Sequence, residues 1–478
     1  MRNQTVEAQT GAGRFGPPAA PGSPKRAPRR KGAPGWWARL RALLWAWWPW
    51  AAGAVVALLL DRSYTALGLA VTAVVLYVFA PRESAPAYGL DHEFAIRSEE
   101  FLNTVVGATG TPFLPGNDLE VFTNGEEFYP AMLAEVERAQ SSVTIEAYIY
   151  WEGDIGRRFA RAFAAKAAAG LPVKILLDAV GSSTIGKDIL KILEEGGCQV
   201  EWYHPLRWYS INRVNNRTHR KSLIIDGRVG FTGGAGIADH WKGRAEDDRH
   251  WRDTQVRLRG PAVTTLQTGF ARNWLETTGE LVTGPTYYPP AEEAGGLSIQ
   301  SILSSPETGS STVRVMYYLS IVCARKSVLI ANPYFIPDPA AIDIMLDARR
   351  RGVEVRVMVT GIHNDVPLAR LNSVRLYGRL LEEGVEIYEY NRTMMHHKYM
   401  VCDGVWTTIG TANFDNRALA LNEENNLCLY DEGVAARFEG IFADDLAACD
   451  RVELAEWRRR GLTKRVAEGL ASLLKEQI

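Results

Sequence analysis

The chain carries one structural unit twice, and this duplication narrows its possible folds more than any other feature. Ser141-Ser142-Val143-Thr144-Ile145 parallels Lys326-Ser327-Val328-Leu329-Ile330, and Gly170-Leu171-Pro172-Val173-Lys174-Ile175 parallels Gly352-Val353-Glu354-Val355-Arg356-Val357. Glu194-Glu195-Gly196 parallels Glu382-Glu383-Gly384 at nearly the same offset. Each copy runs strand, Ala/Arg-rich helix, glycine, β-branched strand, helix, glycine, strand. That alternation predicts an α/β fold of two βαβ repeats, over 116–290 and 291–450, with a mostly parallel sheet and helices outside.

A third repeated element carries chemistry. The first copy reads Thr218-His219-Arg220-Lys221-Ser222-Leu223-Ile224-Ile225-Asp226-Gly227, the second Met395-His396-His397-Lys398-Tyr399-Met400-Val401-Cys402-Asp403-Gly404. Both fit HxKxxxxD. Ordinary residue usage gives one chance match in a chain of this length about a few times in a hundred, and two at matching places far less often. The apolar run after each lysine reads as a strand, in which residues i and i+2 face the same way. His219 with Lys221, and His396 with Lys398, then point together, while Arg220 and His397 face elsewhere. A lysine there is a point positive charge suited to a phosphate oxygen. Asp226 and Asp403 complete the motifs as candidate catalytic residues, and they fall at Asp-Gly turns, where the alternative is a plain turn residue that braces the strand end. Each motif is followed by a small-residue loop, Gly233-Gly234-Ala235-Gly236 in the first copy and Gly410-Thr411-Ala412-Asn413 in the second. Glycine lets backbone approach a phosphate, and Asn413 offers an amide donor.

The N-terminal part is different in kind. Residues 1–35 are rich in Gly, Pro, Ala and Arg without periodicity and read as a disordered basic tail. Ala42 to Leu60 and Tyr64 to Ala80 are uncharged, separated only by Asp61, Arg62 and Ser63. Within 36–81 these stretches predict a two-helix transmembrane hairpin, with six tryptophans crowding its first stretch as an interfacial belt. A buried core helix or a cleaved signal segment is the alternative. The basic flank at Arg39 and Arg41 predicts a multi-pass anchor in a bacterial inner membrane with the body cytoplasmic. Residues 82–115 read as a linker. In 451–478, Leu462, Val466, Leu470 and Leu473 recur at helical spacing beside Arg458-Arg459-Arg460 and Lys464-Arg465. This basic amphipathic helix either lies on an anionic membrane surface or packs on the domain with its basic face solvated.

Charge sets limits on partners. Residues 1–60 hold nine Lys/Arg and one acidic residue, whereas the remainder holds 45 basic against 54 acidic residues. A net acidic body is unsuited to broad nucleic-acid binding, so no nucleic acid is expected. The five dispersed cysteines give neither a disulfide framework nor a zinc site and fit a reducing compartment. His92, His204, His240, His250 and His363 are isolated in sequence, so no metal site and no cofactor are expected.

The paired motifs with trailing Gly/Asn loops resemble the phospholipase D superfamily. The hairpin, Trp251-Arg252-Asp253, Arg259-Gly260-Pro261-Ala262-Val263 and Asn413-Phe414-Asp415-Asn416-Arg417 are similar, more narrowly, to bacterial cardiolipin synthases. The likeness spans about residues 36–450. Gly236 departs from it, standing where the family often has Asn. The resemblance implies two repeats packed pseudo-symmetrically around one active site and metal-independent chemistry in which the lysines replace a cation. It implies His219 as nucleophile and His396 as general acid and then base, or the reverse. Lys221, Lys398 and Asn413 then stabilise phosphate charge, and Gly233, Gly234, Gly410 and Thr411 bind the phosphate with Asn413. Glu424, 28 residues past His396, matches the family's buried carboxylate, and Asp253, 34 residues past His219, is its counterpart. The implied reaction joins two phosphatidylglycerols into cardiolipin through a phosphatidyl-histidine intermediate. Phospholipase D hydrolysis to phosphatidic acid, a nuclease and a non-catalytic membrane scaffold are the alternatives, and oligomeric state is left open.

Overall fold

The computed structural model describes residues 48–59, 62–79, 94–205, 216–305 and 312–472. The first half contributes β1 (Leu114–Thr123), β2 (Val143–Ala147), β3 (Val173–Asp178), β4 (Gln199–Tyr203), β5 (Ser222–Ile225), β6 (Val229–Gly233) and β7 (Thr254–Arg259). The second contributes β8 (Leu297–Ser304), β9 (Ser327–Ala331), β10 (Glu354–Thr360), β11 (Glu386–Tyr390), β12 (Tyr399–Cys402), β13 (Trp406–Gly410) and β14 (Glu424–Tyr430), with β15 (Cys449–Arg451) at its edge. All lie in one sheet, ordered β15-β11-β10-β9-β12-β13-β14-β8-β1-β7-β6-β5-β2-β3-β4. Outward from the central β1–β8 pair the two sides repeat each other strand for strand, except that β15 at the outer edge of the second half has no counterpart. This is the pseudo-symmetry expected of two repeats.

The sheet is mixed, not mostly parallel. Parallel pairing is confined to β2–β3–β4 and β9–β10–β11. Those are the strands joined by helices, for which the alternation is a valid signal. The strands after each motif are hairpins. Asp226 and Gly227 sit at φ 56° and 64°, and Asp403 and Gly404 at 53° and 61°. Arg228 N–H donates to Ile225 O at 2.9 Å and Val405 N–H to Cys402 O at 3.2 Å, closing tight turns that send the chain straight back.

Helices cover both faces of the sheet. Val263–Thr278 and Glu432–Leu446 seal one face, burying Phe270, Trp274, Phe438 and Phe442 across both halves. Fully burying one such aromatic contributes about 1.5–3 kcal/mol. The described part of the expected linker is structured. Ser98 caps a helix over Glu99–Thr109, and Phe101 and Val105 are fully buried in the second half's core, with Phe101 edge-on to Trp406.

The expected transmembrane hairpin is not found as such. Two apolar helices, Trp48–Leu59 and Ser63–Phe79, lie in that region. Among the described residues no helix is long and apolar enough to cross a membrane. At 1.5 Å per residue they reach about 18 and 26 Å, short of a hydrocarbon core of about 30 Å. The tail at 1–35, residues 36–47, 80–93 and Leu473 lie outside the described residues.

Candidate active site

Each motif begins as a strand extension that pairs with the opposite half. His219 N–H donates to Glu423 O at 2.9 Å, and Glu423 N–H donates to Arg217 O at 2.9 Å. In the same way His396 N–H donates to Arg252 O at 2.7 Å, and Arg252 N–H donates to Met394 O at 2.9 Å. The first motif is thereby held against the start of β14, and the second against the start of β7.

This crossing decides which carboxylate each histidine meets. His219 Nδ1 lies 2.9 and 3.0 Å from the two oxygens of Glu424. His396 Nδ1 lies 3.0 Å from Asp253 Oδ2. The carboxylates are thus exchanged between halves, although in sequence each follows the other histidine. A carboxylate acceptor fixes the proton on Nδ1 and leaves Nε2 with its lone pair. Both acids are themselves held. Asp253 accepts from Trp241 Nε1 at 2.8 Å and from Thr254 N–H at 2.7 Å. Glu424 accepts from Thr411 Oγ1 at 2.6 Å and from Asn422 Nδ2 at 3.3 Å.

The lysines complete the cluster. Lys398 Nζ lies 3.0 Å from each ring nitrogen of His396 and donates to His396 O at 3.0 Å. Lys221 Nζ donates to His219 O at 3.0 Å and stands 5.5 Å over the Tyr148 ring. All six side chains are buried. Burial, then the two lysine charges, hold both imidazoles well below their usual range. Burial and the Lys398 charge bring Lys221 down to about 7, and burial brings Lys398 down to about 8. Burial pushes Glu424 up to about 7, against the pull of Lys221, and raises Asp253 against that of Lys398. Each histidine feels both lysines, so the two pairs share one electrostatic site. Such a site is primed for an anion, whose charge would offset the lysine repulsion and raise the imidazole values.

Other expected site residues have different duties. Asp226 accepts from the backbone N–H groups of Gln140, Ser141 and Ser142, and Asp403 from those of Arg325, Lys326 and Ser327. Each ties its hairpin turn to the entry of β2 or β9, five residues and about 16 Å of strand beyond its lysine. Thr411 spends its hydroxyl on Glu424. A Cβ on Gly234 would fall 2.2 Å from Asp253 Oδ1 and 2.6 Å from His396 O, and one on Gly410 would fall 2.2 Å from Asn425 O. Gly233, at φ 152°, would place one 2.0 Å from Gln255 Oε1. These glycines let neighbouring strands and the orienting acid close in. Gly236 has the same kind of reason, since its Cβ would meet Ile149 Cβ at 2.8 Å and leaves no room for asparagine. Asn413 is buried, with its carbonyl oxygen unpartnered among the described residues. Arg220 pairs with Glu423, and His397 with Asp445 and Thr254, both turned away as the strand alternation requires.

Sequence reasoning missed the walls of the site. Trp241, Trp251 and Tyr334 surround His396 with ring centroids 5.5, 5.6 and 6.2 Å away, and Tyr148 stands 5.0 Å from His219. Arg417 lies close enough to act on His219 and Tyr148. Tyr148 follows β2 directly and Tyr334 lies three residues past the end of β9, and a search of the loops at strand ends could have found them. Among the described residues no group of His, Cys, Asp and Glu could hold a metal ion.

A duplicated α/β sheet whose two HxKxxxxD motifs meet across its central pair defines a phospholipase D-like protein. A family profile described as "Cardiolipin synthase, PLD-like domain" matches residues 132–265 and 320–446. The chain belongs to that family. It is 34% identical over 361 residues to cardiolipin synthase 2 of Staphylococcus epidermidis, covering 75% of this chain and 74% of the relative. Cardiolipin synthases of Staphylococcus aureus (32% identity, 75% and 73% covered) and Geobacillus thermodenitrificans (34%, 74% and 71%) are similar to it. Among solved structures, phosphatidylserine synthase of Haemophilus influenzae shares the fold, with TM-score 0.59 and 15% identity over 79% of this chain and 99% of that one.

Proposed function

We propose that this chain is a membrane-attached phosphatidyltransferase that condenses two phosphatidylglycerols into cardiolipin and glycerol. The observation that carries the reading is the exchange of carboxylates, which binds both His–Lys pairs into one site. His219 Nε2 attacks the phosphorus of the first lipid, and His396, protonated once the lipid's negative charge offsets the lysines, gives its Nε2 proton to the departing glycerol oxygen. The resulting phosphatidyl-histidine is then attacked by a hydroxyl of the second lipid. Its proton passes to His396, and the P–N bond breaks with its electron pair returning to the His219 ring. Lys221, Lys398 and the Asn413 amide offset the charge on the non-bridging oxygens.

Attachment rests on two exposed apolar surfaces. Val55, Val56, Leu58, Leu59, Leu67 and Val71 of the paired N-terminal helices are each more than half exposed. Leu462, Val466 and Leu470 form an outward stripe on the C-terminal helix, whose inner side buries Glu468 against Arg460. Beside that stripe, Lys464 and Arg465 suit an anionic leaflet. In this reading the N-terminal pair seats in the bilayer with the body on the cytoplasmic side.

Purified protein given labelled phosphatidylglycerol vesicles tests the reaction. Cardiolipin formation supports it, and phosphatidic acid as the sole product would replace transfer by hydrolysis.

A further inference from the structure

Tyr334 and Asp365 form a feature that the catalytic scheme leaves unused. Both lie in loops at the C-terminal ends of the adjacent parallel strands β9 and β10, the place where open α/β sheets receive ligands. Tyr334 O–H donates to Asp365 Oδ1 at 2.6 Å, and its ring stands edge-on to His396. Asp253 and Glu424 are spent on the histidines, and Asp415 caps the helix Asn416–Ala420 through Ala418 N–H. Asp365 is exposed, and among the described residues it has no cationic partner. Its field reaches His396, Lys398, Tyr148 and Tyr334. An exposed carboxylate beside a phosphate site repels a second anion but accepts a hydrogen bond from a neutral hydroxyl.

We propose that Tyr334 and Asp365 are specificity-determining residues of an acceptor subsite for vicinal diols. One hydroxyl of the incoming headgroup is presented to His396, and its neighbour donates to Asp365, which Tyr334 holds in place. This assignment rests on the phosphatidyltransferase reading, since it supplies the alcohol that resolves the phosphatidyl-histidine. Water lacks the second hydroxyl and gains nothing from the subsite.

The test offers full-length protein labelled phosphatidylglycerol with equal amounts of 1,2-propanediol and 1-propanol, acceptors that differ by one hydroxyl. The native protein should favour the diol at least about tenfold, the low end of what one hydrogen bond to a charged group contributes. Tyr334→Phe and Asp365→Ala should each bring that ratio close to one and raise the share of phosphatidic acid. Tyr334→Phe keeps the ring and Asp365 is exposed, so both variants should fold. Equal transfer to the two alcohols by the native protein, or a ratio unmoved in both variants, would overturn the subsite alone. Phosphatidic acid as the sole product of the native protein would overturn the transferase reading and the subsite with it.

Discussion

At the scale of single residues, the account depends on a His219 kept neutral by burial and the two lysines, and on a His396 that takes up a proton when the anionic lipid offsets the lysine charge. Replacing an orienting acid without changing its shape should therefore be costly. Glu424→Gln and Asp253→Asn should each lower kcat by about 10²–10⁴-fold with a far smaller change in KM, measured as initial rates of cardiolipin formation. The pH dependence follows from the same shifts. The nucleophile must be neutral, so kcat/KM should fall on the acid side, with the limb below 6.5 because burial and the lysines lower both histidines. On the alkaline side Lys221 at about 7 and Lys398 at about 8 lose their charge, and the rate should fall again. Lys221→Arg, which stays charged, should lower the maximum but move the onset of the alkaline fall from about 7 to the Lys398 value of about 8. A limb that stays in place in this variant would assign it to another group.

Among the elements, the two hairpins position the site without taking part in it. Asp226→Ala and Asp403→Ala each strand three backbone donors, and each should cost about 2–4 kcal/mol of stability. Chemical denaturation would show the loss, and kcat of the folded protein should change little. A collapse of kcat at full stability would return these aspartates to the chemistry. Much at this scale was legible beforehand. The HxKxxxxD spacing located His219, Lys221, His396 and Lys398, because a strand's two-residue period puts His and Lys side by side. The carboxylate partners were legible as residues but not as pairs. Glu424 and Asp253 reach the opposite histidine through backbone pairing of Thr218 with Glu423 and of Arg252 with Met395, which no local pattern encodes. Thr411 looked like a phosphate ligand because its loop is small and polar, and only the packing shows its hydroxyl turned to Glu424.

For the whole molecule, the repeat predicted two pseudo-symmetric halves, and the single sheet centred on β1–β8 has that form. The parallel character was overestimated, since only three strands in each half alternate with helices. The segment at 94–113 escaped as a linker because one short helix with two core residues, Phe101 and Val105, leaves a faint periodic signal. Attachment is a property of this scale as well. Replacing Leu462, Val466 and Leu470 together with serine should reduce co-sedimentation with anionic vesicles while stability is unchanged, since all three are already exposed. Undiminished co-sedimentation would leave the N-terminal helices as the sole anchor.

Trapping the covalent intermediate probes most directly whether both His–Lys pairs serve one phosphorus atom. His396→Ala, incubated with phosphatidylglycerol labelled in its acyl chains, should accumulate label on His219 and release little cardiolipin. His219→Ala should accumulate none. Stable labelling of His396 in the His219→Ala protein, alongside His219 labelling in the other, would mean two independent sites and would contradict the account.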